Sequence, residues 1–151
     1  MRSAPRSGPP RLSVVDRHRP RTARRFLERV VAATLAHVGR ADFEVSLLLT
    51  DDDEIAALHG RFLGDPTPTD VLSFAHDDGV DVVVSVQCAR RVARQRGHSI
   101  RAETALYVVH GILHACGYDD TTSRARARMR AAEATILGAL RLRYAPVDGD
   151  D

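Results

Sequence analysis

The spacing of apolar and polar residues along the chain predicts strands and helices that alternate. Alternation with a period of two predicts strands at residues 11–19, 43–50, 69–75 and 80–86. Apolar residues at helical spacing predict helices at residues 22–38, 87–97, 102–116 and 121–144. A further short helix is expected to begin at Asp51 or Asp52. Gly39 and Gly97 stand where a left-handed residue would end two of these helices.

The order of these elements predicts the fold class. About four strands interleaved with about five helices indicate an α+β fold (α/β-like), a single domain at residues 11–144 with one mixed sheet covered by helices. The helix at residues 102–116 is apolar on nearly every side, so we expect it to be the central, buried one. Residues 1–10 are expected to be a disordered tail and residues 145–151 a flexible one.

Composition narrows the class of protein. The chain has 151 residues, a length that fits one domain, and its 44% hydrophobic and 28% charged residues are typical of a globular chain. A formal net charge of +2 is too balanced to indicate nucleic-acid binding by itself. All 22 basic residues are arginines, whose planar guanidinium groups suit phosphate.

The cysteines and the apolar stretches suggest where the protein works. Cys88 and Cys116 are too few for a disulfide scaffold or a zinc ribbon, so we expect no disulfide partner and a reducing compartment. The first residues lack the apolar stretch of a signal peptide. The longest span without Asp, Glu or Arg, residues 104–118, is too short and too polar to cross a bilayer. We therefore expect a cytoplasmic protein without a membrane partner.

Two histidines in the most apolar helix carry the candidate chemistry. His110 and His114 are four residues apart, which puts both imidazoles on one face of a helix. Gly117 can adopt the left-handed conformation that turns the chain, and Asp120 then follows closely enough to be a third ligand. Three protein ligands with one open position are typical of a catalytic zinc ion, which acidifies its bound water.

Spacing alone leaves other interpretations of this pair open. Histidines four residues apart also occur by chance on ordinary helices. Two imidazoles in an apolar helix need polar partners, and the glycine turn followed by two acids favours the metal hypothesis. The metallopeptidase motif H-E-x-x-H is not met, because Gly111 stands where the general-base glutamate would be. Peptidase chemistry of that type is therefore disfavoured.

The segment from His110 to Asp120 resembles the signature H-G-x-L-H-x-x-G-Y-D-H of the YbeY family, bacterial endoribonucleases of ribosomal RNA maturation. Further matches follow in the family's order, at residues 47–52, 55–58, 68–74, 81–85 and 97–99 and at Met129 and Glu133. Together the matches cover about residues 11–142, nearly the whole chain outside its ends.

The resemblance implies a single-strand-specific endoribonuclease of ribosome biogenesis, with roles in 16S rRNA 3′-end maturation and ribosome quality control. Its partners would be single-stranded RNA, 16S rRNA and the small ribosomal subunit. One zinc ion per chain would be held by His110, His114 and Asp120, the last in place of the family's third histidine. Leu63 stands where the family has an arginine that serves the active cleft. A non-catalytic ribosome-assembly factor with a structural zinc is the alternative.

Three other side chains are candidates for the reaction. Asp119 is a candidate catalytic residue that would accept a proton or orient a ligand histidine, and the alternative is that it caps the turn after Gly117. Arg90 and Arg94, on the helix at residues 87–97, are candidate substrate-binding residues for RNA phosphates. A solvated helix face is the alternative for these two arginines.

Overall fold

The computed structural model describes residues 11–19, 21–63 and 69–144, so both predicted tails lie outside the described residues. The elements of the described residues are β1 (Arg11–Asp16), α1 (Arg24–Val38), β2 (Glu44–Thr50), α2 (Asp52–Leu63), β3 (Val71–Ala75), β4 (Gly79–Ser85), α3 (Val86–Arg96), α4 (Ile100–Ala115) and α5 (Ser123–Ala139). Four strands and five helices in one domain confirm the predicted α+β fold for this part of the chain.

The strands form one mixed sheet in the order β1-β2-β4-β3. β1 and β4 both run parallel to β2, whereas β3 runs antiparallel to β4 at the edge. A tight turn joins β3 to β4, in which the backbone N–H of His76 donates to the carbonyl of Gly79 at 2.8 Å. This hairpin places the start of β3 beside the end of β4, where the Ser85 N–H donates to the Asp70 carbonyl at 3.0 Å.

Alternate side chains of the sheet enter two separate apolar clusters. Leu47 and Val82 face the larger cluster, which contains residues of α1, α3, α4 and α5. Leu72 and Val83 face the other side, where Ile55 of α2 covers them. The period-two pattern thus correctly predicted which residues share a face of the sheet.

α4 is the central helix, as its sequence predicted. Residues 102–109 and 111–113 are all buried, and the helix contacts α1, α3, α5, β3 and β4. A Cβ atom at Gly111 would lie 2.7 Å from Cγ1 of Val82, so only a glycine lets the helix approach the sheet this closely. The Ser73 hydroxyl also donates to the Gly111 carbonyl at 2.6 Å. α4 is therefore fixed against β3 and β4 at the level of its histidines.

Helix ends differ from the predicted ones where capping decides them. α4 begins at Ile100 because the Ser99 Oγ accepts the N–H of Ala102 at 3.0 Å. α5 ends at Ala139, so the prediction of a helix to Tyr144 was wrong at this end. Arg141 takes a left-handed conformation with φ 58°, which ends the helical hydrogen bonding.

Among the described residues, no helix combines the length and the apolar character needed to span a membrane.

Candidate metal centre

The end of α4 and the turn after it bring three metal-binding side chains together. His110, His114 and Asp120 each offer one ligand atom, and these atoms all lie within 4.8 Å of one another. Nε2 of His114 is 3.7 Å from Oδ1 of Asp120, and the two imidazole centroids are 5.5 Å apart. Two imidazole nitrogens and one carboxylate oxygen are a donor set that fits zinc and leaves a fourth position open.

A left-handed turn brings Asp120 back towards the histidines. Gly117 has φ 98°, a conformation that favours glycine. Its N–H donates to the His114 carbonyl at 3.2 Å, and the Tyr118 N–H donates to the Leu113 carbonyl at 3.1 Å. These bonds close the end of α4 and reverse the chain, so the carboxylate of Asp120 lies beside the imidazole of His114.

Glu133 of α5 orients one of the two imidazoles. Its Oε2 lies 2.7 Å from Nδ1 of His110, and the glutamate is only 8% exposed. With Nδ1 bound to a carboxylate, Nε2 of His110 remains for a metal ion. Burial lowers the pKa of His110, but the hydrogen bond and charge of Glu133, with the charges of Asp70 and Asp120, raise that pKa above its ordinary value.

In the sequence, Glu133 stands out only as a family match, with no predicted role. A signal was present, since a glutamate four residues after the buried Met129 lies on the apolar face of its helix. A carboxylate in that position requires a polar partner. His110, on the facing helix, is that partner.

Asp119 makes the contacts of a turn cap. Its Oδ1 accepts hydrogen bonds from the backbone N–H of Thr121 at 3.2 Å and from the Thr121 hydroxyl at 3.1 Å. The structure therefore contains the capping contact that was the alternative interpretation of Asp119. Its role as a proton acceptor stays a prediction.

A cavity of about 260 Å³ lies beside His110, between the start of β3 and the helices α3, α4 and α5. Three arginines line it, Arg96 of α3 and Arg126 and Arg130 of α5. Arg124 and Arg128 are exposed, whereas Arg126 and Arg130 are partly buried in the cavity wall. The cavity therefore places three arginines, together with four carboxylates, beside the candidate ligands His110 and Asp120.

Arg90 and Arg94, the predicted substrate-binding residues of α3, are not among the residues that line the cavity beside His110. Arg90 and Arg94 line a separate groove together with Asp52 and Gln87. Arg96, on the same helix, is the residue that reaches the cavity beside His110. Contacts of Arg90 and Arg94 with RNA stay predictions. The side chain of Leu63 and residues 64–68 lie outside the described residues, so the effect of the missing family arginine also stays a prediction.

The chain is similar to known endoribonucleases. A family model described as Endoribonuclease YbeY matches residues 14–141. Relatives of that name include a protein of Heliobacterium modesticaldum, 38% identical over 132 residues that cover 74% of this chain and 80% of the relative. A protein of Pelotomaculum thermopropionicum is 42% identical over 111 residues, 66% of this chain and 73% of the relative.

The fold is similar to the solution structure of TM1509 from Thermotoga maritima. The TM-score is 0.61, and the match covers 86% of this chain and 91% of that one. At 24% sequence identity this likeness concerns the fold alone.

Proposed function

The chain belongs to the YbeY endoribonuclease family, as its motifs predicted, and on this premise we propose that it is a zinc-dependent enzyme that cuts single-stranded RNA in ribosome biogenesis. Its proposed substrate is 16S rRNA near the 3′ end, in the small ribosomal subunit, and its proposed wider role is ribosome quality control in the cytoplasm. The observation that carries the proposal is the convergence of His110, His114 and Asp120 beside an arginine-lined cavity.

Each residue of the candidate centre has a separate proposed role in hydrolysis. Nε2 of His110, an imidazole nitrogen of His114 and a carboxylate oxygen of Asp120 would hold one zinc ion per chain. Zinc in such a site supplies Lewis acidity for phosphodiester hydrolysis. Glu133 fixes the orientation of the His110 ring by accepting a hydrogen bond from its Nδ1–H. Asp119, which directly precedes the candidate ligand Asp120 in the chain, is the proposed proton acceptor.

The packing of α4 favours this chemistry over that of zinc peptidases. The general-base glutamate of H-E-x-x-H would stand at position 111, where a Cβ atom meets Val82 at 2.7 Å and Val71 at 3.2 Å. A glutamate there would point at the sheet and collide with these two valine side chains. The position is closed to the base that peptidase chemistry needs.

A double variant tests the proposal. His110→Ala with His114→Ala removes two of three ligands, so we expect zinc stoichiometry to fall from about one per chain to near zero. Cleavage of a single-stranded RNA, sensitive to chelator in the wild type, should be lost with it. Elemental analysis and a gel-based cleavage assay measure both quantities.

The control is His37→Ala, an exposed histidine in the last turn of α1, which should change neither quantity. Full zinc retention in the double variant would refute the ligand assignment. A zinc-loaded wild type that binds ribosomal RNA and never cuts it would contradict the enzymatic proposal and support the assembly-factor alternative.

A further inference from the structure

Four carboxylates line the cavity beside the candidate metal centre as well as three arginines, and two of the four are already paired. Glu133 is bonded to His110, as described above. Glu103, 1% exposed, contacts Nε2 of His98 and lies 4.0 Å from Nη1 of Arg96. These contacts offset the negative charge of both buried carboxylates. Asp120 is a candidate metal ligand and Asp70 is a further carboxylate of the lining, so an anion in this cavity would depend on a guanidinium group that no carboxylate binds.

Arg126 carries such a charge. Its Nη1 donates to the backbone carbonyl of Asp120 at 3.1 Å, and its Nη2 donates to the Ser123 hydroxyl at 3.2 Å. Both acceptors are neutral, and within the described ranges no carboxylate forms an ion pair with this guanidinium. A guanidinium has five N–H donors, so several remain available.

Its two hydrogen bonds also hold Arg126 in place. One of them ends on Asp120, the residue whose carboxylate is a candidate metal ligand. An anion that binds beside that carboxylate meets a guanidinium that is already oriented, so less side-chain entropy is lost on binding. Arg130 lies one turn further along the same face of α5 and lines the same cavity.

Other arginines of the described residues are engaged differently. Arg91 is paired with Asp52 at 3.1 Å, and its guanidinium belongs to the groove on the far side of α3. Arg128 lies over the ring of Tyr118 at 4.3 Å, on the exposed side of α5. The geometry of Arg126, cationic, fixed and beside a candidate ligand, is suited to a phosphate group.

We propose that Arg126 binds a backbone phosphate of single-stranded RNA in this cavity, next to the candidate metal centre. The inference rests on the proposed function for the identity of its ligand. The contact with RNA phosphates that the sequence predicted for Arg90 and Arg94 of α3 is thereby assigned to the start of α5.

The test compares three variants of the full chain in RNA binding. Arg126→Gln retains a hydrogen-bond donor for the Asp120 carbonyl and removes the charge. Arg126→Lys retains the charge. Arg124→Gln is the matched control, because Arg124 is exposed on the same helix and does not line the cavity. Fluorescence anisotropy with a labelled ten-nucleotide RNA gives the affinity at several salt concentrations, with zinc and with EDTA.

Arg126→Gln should weaken binding about tenfold at low salt and reduce the slope of log affinity against log salt by about 0.7, the value for one phosphate contact on a single strand. Arg126→Lys should retain most of the slope, and Arg124→Gln should match the wild type. Zinc content is measured in parallel, to detect a change in the turn that carries Asp120.

Two results would overturn the inference. One is wild-type affinity and salt slope in Arg126→Gln. The other is a loss of zinc in Arg126→Gln with unchanged RNA binding in EDTA, which would show that Arg126 only positions the Asp120 turn. A wild type that binds RNA through Arg126 but does not cut it would contradict the proposed function and leave the inference supported.

Discussion

At the scale of single residues, Glu133 is the side chain on which the orientation of the candidate centre depends. It is buried on α5 and holds Nδ1 of His110 at 2.7 Å. Carboxylates in this position increase the basicity of a ligand histidine and fix its ring, and their loss typically weakens metal binding by about 10- to 100-fold. We expect Glu133→Gln to weaken zinc binding by about that factor, measured by competition with a chromophoric chelator.

Glu44→Gln serves as the control for this variant. Glu44 is an exposed carboxylate on β2 that pairs with Arg11, so the substitution removes one negative charge outside the candidate centre. Its zinc affinity should equal that of the wild type. If Glu133→Gln binds zinc as tightly as Glu44→Gln does, the orienting role of Glu133 is wrong.

The sequence predicted the candidate ligands better than the residues around them. His110, His114 and Asp120 lie within eleven residues, so helical spacing and one glycine turn suffice to bring them together. Glu133 and Arg126 reach the site from another helix, and their positions depend on how α5 packs against α4. The arginines of α5 occur at every second position, so 124 with 128 and 126 with 130 form two faces. Composition does not show which face meets the cavity.

At the scale of elements, the hydrophobic pattern predicted which segments are strands and helices, and capping decided where they end. Asp51, one of two candidate caps for α2, is the residue whose Oδ1 accepts the Glu54 N–H at 2.9 Å. Gly39 and Gly97 end α1 and α3 in left-handed conformations, as predicted. The predicted end of α5 was wrong because the apolar spacing continues through Leu142, beyond the turn at Arg141.

The contact of α4 with the sheet gives a prediction about stability. Gly111→Ala would place a methyl group 2.7 Å from Cγ1 of Val82, a branched side chain that is fully buried on β4. Helix and sheet would have to separate, so we expect a loss of about 1–3 kcal/mol in the free energy of unfolding. Urea denaturation monitored by circular dichroism measures it.

Gly138→Ala provides the matched comparison. Gly138 is also helical, near the end of α5, and a Cβ atom there would contact nothing within 4 Å. Alanine has the higher helix propensity, so this variant should be unchanged or more stable by up to about 1 kcal/mol. Equal effects of the two substitutions would show that the close approach at Gly111 does not constrain the fold.

At the scale of the whole molecule, the order of the strands was beyond what the sequence pattern could give. Alternation indicates which residues share a face, but it does not say which strand lies next to which. The order β1-β2-β4-β3 arises because β3 forms a hairpin with β4 and takes the edge, while β2 pairs with β4 across a long stretch of chain.

Zinc in the candidate centre would join parts of the molecule that are otherwise held by packing. His110 and His114 lie on α4, whereas Asp120 lies in the connection to α5. A ligand that binds only the folded chain stabilises it by about 4 kcal/mol at a concentration 1,000 times its dissociation constant. We expect chelation to lower the Tm of the zinc-loaded wild type by roughly 10 °C.

Differential scanning calorimetry with and without EDTA measures this shift. The variant with both His110 and His114 changed to Ala should show the same Tm in both conditions. A wild-type Tm that does not respond to chelation would mean that zinc contributes nothing to the stability of the fold.

Because five neighbouring elements enclose α4, this helix should be among the last parts of a damaged molecule to lose its structure. Segments with few buried contacts open first, so fraying of an outer helix or a chain end leaves α4 intact. We therefore expect the helix that carries the two imidazoles to come apart only when the whole domain unfolds. Damaged molecules should therefore carry either the complete imidazole pair or a denatured chain that proteases can degrade, with few intermediate forms.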